Sequence, residues 1–245
     1  MTETSLEARR EILSSIREHL AESKRFDTQD VHPPTTARRT TSKSVAGDRD
    51  KPVIELFRHA LEAVSGHCSI VRTIDEAAQA VQEIVAERKA SGPPATAGGS
   101  DSHSRRVAVS DSALVRAILG RVKTEAAFLD SPSQAELFDC DVGITCAQWA
   151  IAETGTLVLE SERERNRLAS LVPPVHVAII EASRIRRSMS EVLELIKKSD
   201  VGLSRAVTFI TGPSRTSDIE LTLAIGVHGP GELHVIVIDE AAPPA

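Results

Sequence analysis

Hydrophobic residues recur at helical spacing at the start of the chain. Over about residues 3–24 they fall on one face, which predicts an amphipathic helix. Because such an apolar stripe has to be buried, the helix is expected to pack on the main domain or on a partner. The stripe consists of Leu6, Leu13, Ile16 and Leu20. We therefore expect an N-terminal helical arm over residues 1–25.

The composition changes after this arm. Residues 26–51 are polar, contain a Pro-Pro pair and show no hydrophobic periodicity, which is typical of a flexible linker. The basic segment ARRTTSK within it is interpreted as solvated. A second segment rich in glycine, proline and serine, SGPPATAGGSDSHS, is predicted to be a loop.

Helical patterns alternate with short β-branched runs from about residue 52 onward. Thr73 and Glu76 have the spacing of a capping box ahead of an alanine-rich helix, and Gly120 closes a further helix. The strand candidates between the helices are CSIVR, RVAVS and AAFLD. This alternation predicts an α/β domain with a mostly parallel sheet.

The second half of the chain is denser in strand candidates, which are DVGIT, TLVLE, HVAII, AVTFIT, LTLAIGV and LHVIVID. One helix interrupts them over about Arg184–Lys198. Its predicted apolar face consists of Met189, Val192, Leu193 and Ile196. Since no repeat period emerges, we expect a single α/β core over residues 52–240.

Composition and charge narrow the classes of function. Aromatic residues make up 2% of the chain and the formal net charge is −6, which disfavours base-stacking platforms and broad binding to a nucleic-acid backbone. The three cysteines lack the spacing of an iron–sulfur or structural zinc site. The N-terminus lacks the apolar core of a signal peptide, and no apolar run reaches the ~18–20 residues that cross a bilayer. We expect a cytoplasmic globular protein without a metal or cofactor.

The first candidate site is the turn Glu153-Thr154-Gly155-Thr156, directly before a buried-looking strand. Two hydroxyls and exposed backbone N–H groups at a glycine turn suit recognition of an anion or a carbonyl. Glu153 is a candidate nucleophile or general base if the fold desolvates it. The alternative is a turn made by Gly155 in which Glu153 caps a backbone group.

The second candidate follows in the segment ERERNRLASLVPPVH. Arg167 precedes apolar residues that can hold its guanidinium near the protein body, where it could clamp a carboxylate or phosphate. A structural salt bridge is the equally weighted alternative. The preceding charges alternate in sign and are interpreted as a solvated loop face; they are Glu162, Arg163, Glu164 and Arg165.

The third candidate region covers residues 210–239. A turn after the AVTFIT strand is followed by a dense polar loop, which suits a ligand-holding loop at a strand end. Its candidate residues are Gly212, Ser214, Arg215, Thr216 and Asp218. His228 sits at a second tight turn, where a histidine can titrate or bond a substrate oxygen. The alternative is that Ser214 or Ser217 is the N-cap of a short turn, and the histidine spacing matches no metal signature.

Four segments, in this order, resemble the LUD-domain family: IAETGTLVL, RLASLVPPVHVAII, FITGPSRTSDIE and GVHGPGELHVIV. Within the family they are similar to the lactate utilisation protein C branch, whose opening helix also resembles EARREILSSIREHL. The longer sister branch carries ferredoxin-like cysteine motifs, and this chain does not have them.

The resemblance implies a fold and a pathway more firmly than a chemistry. It implies a NagB/RpiA/CoA-transferase-like, Rossmann-type core preceded by the N-terminal amphipathic helix. It also implies a non-redox subunit of a system that oxidises L-lactate to pyruvate with iron–sulfur partner proteins. The candidate residues fall within the family segments, as expected if those segments converge on one pocket for a small anionic ligand.

Two other functions stay open at this point. The chain could be a docking or regulatory protein of the same system, with its N-terminal helix laid into a partner groove. It could also be a stand-alone enzyme of the CoA-transferase or isomerase kind that uses Glu153, although fold analogy alone is a weak warrant for function.

Overall fold

The computed structural model describes residues 13–15, 17, 52–87, 105–164, 166–198, 204–217, 223–225 and 229–241. Of the predicted helical arm, residues 13–15 and 17 are described, and they are helical. The predicted linker and the predicted 91–104 loop lie outside the described residues. The chain divides into two compact units, residues 1–49 and 50–245, and all that follows concerns the second unit.

The described part of this unit contains five α-helices, twelve strands and two short 3-10 helices. The helices are α1 (Val53–Ala63), α2 (Ile74–Glu87), α3 (Ala113–Leu119), α4 (Gln134–Phe138) and α5 (Met189–Lys197). The 3-10 helices are Arg167–Ser170 and Ala182–Arg184. The first six strands are β1 (His67–Val71), β2 (Arg106–Val109), β3 (Ala127–Leu129), β4 (Val142–Cys146), β5 (Trp149–Ile151) and β6 (Thr156–Glu160). The remaining six are β7 (Val175–Glu181), β8 (Ile185–Arg186), β9 (Val207–Ile210), β10 (Arg215–Ser217), β11 (Leu223–Ile225) and β12 (Glu232–Ile238).

Six strands form a central parallel sheet in the order β1-β12-β7-β4-β2-β3. All of its described pairings are parallel. In β7, His176 pairs with Gly143 of β4 on one side and with Leu233 of β12 on the other. The predicted α/β fold with a mostly parallel sheet is therefore confirmed.

A second sheet, in the order β8-β5-β6-β9, was not predicted as a separate layer. Strands β5 and β6 form an antiparallel hairpin, β9 pairs antiparallel with β6, and β8 pairs parallel with β5. The sequence predicts β6 and β9 as strands, but it misses β5 and assigns the residues of β8 to a helix. A short antiparallel pair, β10 with β11, completes the described strands.

The core lies on both faces of the central sheet. The strands are therefore buried on two sides, and their residues are nearly all apolar. In β7, Val175, Val177 and Ile179 pack on one face with residues of α2 and α3. Ala178 and Ile180 pack on the opposite face with residues of α1 and the second sheet. The site described below opens on this second face.

Helix α2 begins as its sequence predicts. The Thr73 hydroxyl accepts a hydrogen bond from the Glu76 amide at 3.1 Å. The Glu76 carboxylate reaches back to the amide of Arg72 at 2.8 Å. Thr73 therefore caps the helix as predicted, whereas Glu76 bonds the amide one residue before the cap rather than the Thr73 amide of a full capping box.

Helix α5 is shorter than predicted and begins at Met189 rather than Arg184. The preceding residues form a 3-10 turn and then β8, because β8 is held by pairing with β5. Of the predicted apolar face, Val192 and Ile196 are buried, whereas Met189 and Leu193 are each 41% exposed. Among the described helices, none is long and apolar enough to cross a membrane.

Candidate functional site

The turn between β5 and β6 is fixed by contact with α1. Gly155 has φ of 63°, in the left-handed region that favours glycine. A Cβ at this position would lie 2.4 Å from the Leu61 backbone nitrogen and 2.6 Å from the Ala60 carbonyl carbon. The glycine is therefore required both by the turn and by the close approach of the helix backbone.

Glu153 lies at the exposed side of this turn. Its Oε1 accepts a hydrogen bond from the amide of Met189, the first residue of α5, at 3.1 Å. An acidic side chain at a helix N-terminus satisfies an unpaired amide and complements the helix dipole. This contact assigns the Glu153 side chain a structural task, and nothing in it desolvates the carboxylate for catalysis.

A chain of hydroxyls links the turn to the end of β9. Thr154 Oγ1 lies 2.7 Å from Thr156 Oγ1, which in turn lies 2.7 Å from Thr211 Oγ1. Thr156 is 3% exposed, whereas Thr154 and Thr211 are exposed, so this polar chain joins two surface hydroxyls through a buried one. Thr211 belongs to the cleft described next.

A cleft of about 290 Å³ opens beside the end of β9. We call it the motif cleft, because it is lined by residues of three of the segments that resemble the LUD family. They are Ser170, Leu171 and His176 from one segment, Phe209, Ile210, Thr211, Gly212, Pro213 and Ser214 from another, and Gly229, Pro230 and Leu233 from the last, with Thr208 beside them. The cleft lies at the amino-terminal ends of β7 and β12.

Backbone hydrogen bonds join all three of these segments. The Ser214 amide donates to the Pro230 carbonyl at 2.8 Å, and the Gly231 amide donates to the Pro174 carbonyl at 2.9 Å. Two of the predicted site residues, Gly212 and Ser214, therefore line a common cleft with the other segments.

The remaining predicted residues are placed differently. Arg215 points away from the cleft, with its guanidinium 2.9 Å from the Val64 carbonyl and 2.5 Å from Ser65 Oγ beyond the end of α1. Arg167 is exposed at the first position of the 3-10 turn that contains Ser170. Thr216 is described by its backbone in β10. Asp218 and His228 lie outside the described residues.

His176 is a lining residue that the sequence prediction did not include. It is fully buried, and its Nε2 lies 2.8 Å from the hydroxyl of buried Thr145 on β4. Its Nδ1 has no hydrogen-bond partner in the part of the chain that the structure describes. Burial lowers the pKa of His176 from 6.5 to about 3, so the ring is neutral near pH 7.

A second polar cluster lies at the carboxyl edge of the central sheet. It corrects one prediction made from the sequence. Glu164, predicted to lie on a solvated loop face, is 0% exposed. Its Oε2 accepts hydrogen bonds from the Ser110 hydroxyl at 2.6 Å and from the Cys146 amide at 3.1 Å. Burial raises the pKa of Glu164, and the two hydrogen bonds oppose that rise. The prediction of a solvated Glu164 was wrong. It used only the alternating charges nearby, whereas the partners of Glu164 lie at the ends of distant strands.

A cavity of about 390 Å³ adjoins this cluster. It is lined by Ser112, Ala113, Leu114, Cys146, Ala147, Gln148, Arg163, Glu181 and Arg184. Arg184 pairs with Glu181 at 3.6 Å and lies 5.2 Å from the centre of the Trp149 ring. Carboxyl edges of open parallel sheets commonly bind ligands, but three of the four family segments line the motif cleft instead. Within the described ranges, no group of His, Cys, Asp and Glu side chains could hold a metal ion.

Comparison with known families decides what kind of domain this is. The family model of the LUD domain matches residues 54–238. The chain belongs to the LUD domain family. This match covers more than half of the chain and includes all the segments that line the motif cleft.

Curated relatives with the name Lactate utilization protein C match part of the chain. The protein of Halalkalibacterium halodurans is 42% identical over 103 residues, which cover 41% of this chain and 45% of that protein. The protein of Bacillus subtilis strain 168 is 36% identical over 103 residues, which cover 41% of this chain and 43% of that protein. The alignments thus span less than half the length of these relatives.

One solved structure shares the fold. A crystal structure of a protein of the DUF162 family from Deinococcus radiodurans matches with a TM-score of 0.54 and 22% sequence identity. The match covers 76% of this chain and 96% of that one. At this identity the likeness supports the architecture and nothing finer.

Proposed function

We propose that this LUD domain protein is a non-redox subunit of a system that oxidises L-lactate to pyruvate, acting with iron–sulfur partner proteins. Its place in the LUD family and the name of its relatives support a role in lactate utilisation. The observation that carries the proposal is the meeting of three separate family segments around one cleft. Segments far apart in sequence that share a cavity are expected when a ligand is bound there.

The proposed ligand of the motif cleft is a small anion such as lactate or pyruvate. The cleft volume of about 290 Å³ is near the lower end of the range of roughly 300–1,000 Å³ for ligand pockets. Leu233, which is 1% exposed, and the partly exposed Leu171 and Phe209 supply apolar walls. None of the described lining side chains carries a charge at neutral pH, so the anion would be held by hydrogen bonds.

The predicted residues have distinct roles in this proposal. Gly212 and Ser214 contact the ligand directly, and Thr154 and Thr156 act through the hydroxyl chain that ends at Thr211. Arg167, exposed beside the Ser170 turn, attracts the anion towards the opening, whereas Arg215 holds the loop after Ser214 against the end of α1 through Val64 and Ser65. Thr216, Asp218 and His228 remain candidates from the sequence, and Glu153 remains the candidate catalytic group of the enzyme alternative.

A docking or regulatory role is the second candidate function. Three large apolar side chains in or beside the cleft are exposed: Leu168 at 42%, Leu171 at 40% and Phe209 at 40%. Exposed apolar groups around a cleft are typical of protein contact surfaces. In that case this chain would bind the partner proteins without contributing to lactate turnover.

The two functions are separated by an omission experiment. The chain and its iron–sulfur partners are co-expressed, and lactate-dependent dye reduction is measured with and without this chain. The proposed subunit role predicts loss of dye reduction on omission and recovery when the purified chain is added back. Undiminished dye reduction without the chain would refute the subunit role and leave the docking or regulatory role.

A further inference from the structure

The wall of the motif cleft contains a buried nitrogen without a partner. His176 is fully buried, lines the cleft and has no hydrogen-bond partner for Nδ1 within the described residues. An unsatisfied polar atom in a protein interior destabilises the fold, because its hydrogen bonds to water are lost and not replaced. Few such atoms occur in folded proteins, and each calls for an explanation.

The hydrogen bond on the other side of the ring indicates which nitrogen carries the proton. The hydroxyl of buried Thr145 lies 2.8 Å from Nε2, and this is the contact of that hydroxyl in the described part of the chain. A buried hydroxyl hydrogen needs an acceptor, and Nε2 can accept when it is unprotonated. The proton of the neutral ring then lies on Nδ1, which makes Nδ1–H an unused donor.

The position of the ring in the sheet keeps it fixed. His176 is the second residue of β7 and is flanked by Gly143 of β4 and Leu233 of β12. Because β7 is paired on both sides, its backbone cannot shift to give Nδ1 another partner. A ligand in the cleft that His176 lines can supply the acceptor.

We propose that His176 is a ligand-binding residue of the motif cleft, and that its Nδ1–H donates a hydrogen bond to an oxygen of a short 2-hydroxy or 2-oxo acid. This inference rests on the proposed function, since it assumes that the cleft binds such an acid. It adds the group that contacts the ligand and the chemistry of the contact, which is a neutral donor to a carboxylate or keto oxygen. The bound acid gives Nδ1–H the acceptor that it lacks, and the hydrogen bond from Thr145 to Nε2 sets the tautomer of the ring.

Two substitutions of His176 separate the two ring nitrogens. In His176→Asn the side-chain amide takes the place of Nδ1 and can still donate into the cleft. In His176→Gln the amide reaches the place of Nε2, keeps the contact with Thr145 and loses the donor. Both variants bury a neutral polar amide at the same position. A difference in affinity between them therefore reports the place of the donor and not the loss of the imidazole ring.

The test is calorimetric titration of the full chain with pyruvate and with lactate. Hydrogen bonds to charged groups contribute about 1.5–3 kcal/mol, which corresponds to a loss of affinity of roughly ten- to 150-fold. We expect that loss in His176→Gln and a smaller one in His176→Asn, with circular dichroism confirming that both are folded. Equal affinity of His176→Gln and the wild type would overturn the inference while leaving the proposed function in place. Absence of binding to the wild type would instead refute the proposed ligand.

A second measurement does not depend on ligand affinity. Nitrogen NMR of the histidine-labelled wild type reports which ring nitrogen of His176 is protonated. The inference predicts a neutral ring with the proton on Nδ1 in the free protein, and a shift of that resonance on addition of pyruvate. A proton found on Nε2 would overturn the inference even if the variants failed to fold.

Discussion

Replacing Gly155 by alanine tests how the ETGT turn is built. The substitution adds one methyl group to a residue with φ of 63°. In the native arrangement that methyl carbon would lie 2.4 Å from the Leu61 nitrogen. The left-handed conformation costs an ordinary residue roughly 1–2 kcal/mol. Forcing an extra carbon against packed backbone adds about 1–3 kcal/mol.

The sum predicts that Gly155→Ala lowers the free energy of unfolding by about 2–5 kcal/mol. This is a large part of the roughly 5–15 kcal/mol that stabilises a typical domain. Trp149 is the chain's single tryptophan and lies in β5, next to the turn. Urea unfolding followed by its fluorescence and by circular dichroism therefore reports both the turn and the whole domain.

Gly120→Ala is the matched control. Gly120 has φ of −61° and ψ of −13°, and an added Cβ would meet its nearest neighbour at 3.5 Å, an ordinary contact. This substitution is expected to be neutral or to stabilise by about 0.4–1 kcal/mol through the unfolded state. If the free energies of unfolding of Gly155→Ala and Gly120→Ala agree within about 0.5 kcal/mol, the close packing of the turn against α1 is wrong.

Three further perturbations have expected outcomes. Gly143→Ala would place a Cβ 1.7 Å from the Ala169 carbonyl oxygen, and urea titration should show a loss of at least about 3 kcal/mol or no folded protein. The pKa of His176 is lowered to about 3 in the folded protein, so the unfolded chain binds the proton first and stability falls as the pH drops below about 6.5. Between about pH 6 and pH 4, the free energy of unfolding of the wild type should fall with decreasing pH by up to ~1.4 kcal/mol per pH unit more than that of His176→Gln. The pKa of Glu164 is raised in the folded protein, so its contribution to the free energy of unfolding is complete below about pH 4.5 and is lost as the pH rises through the folded pKa. Glu164→Gln should not show this loss of stability. Parallel profiles of stability against pH for the two proteins would contradict the prediction.

The sequence predicts the parts of the fold that depend on local pattern. The β-branched runs and the Thr73 cap locate strands and helices because burial on two faces and amide capping leave local signatures. Helix α4 was missed, although Ser133 and Glu136 form a full capping box there. The segment has only five helical residues, which is too short for a clear helical period.

The sequence does not predict contacts between distant segments. Glu164 is buried because Ser110, 54 residues away, donates to it, and no local rule for alternating charges contains that information. Arg215 turns to α1 because Ser65, 150 positions earlier, lies beside it. The resemblance gave the order of the family segments along the chain, but the buried Nδ1 of His176, which lacks a partner among the described residues, is visible only in the structure.

The central claim is that the motif cleft binds the small acid, and filling the cleft tests it most directly. Ser214→Leu puts an apolar side chain into the cleft lining, and Ser131→Leu makes the same change on the exposed surface. Pyruvate is titrated into the wild type and both variants by calorimetry, with thermal unfolding as the check on folding. We predict unchanged affinity in Ser131→Leu and loss of binding in folded Ser214→Leu. Equal affinity of all three proteins would contradict the claim.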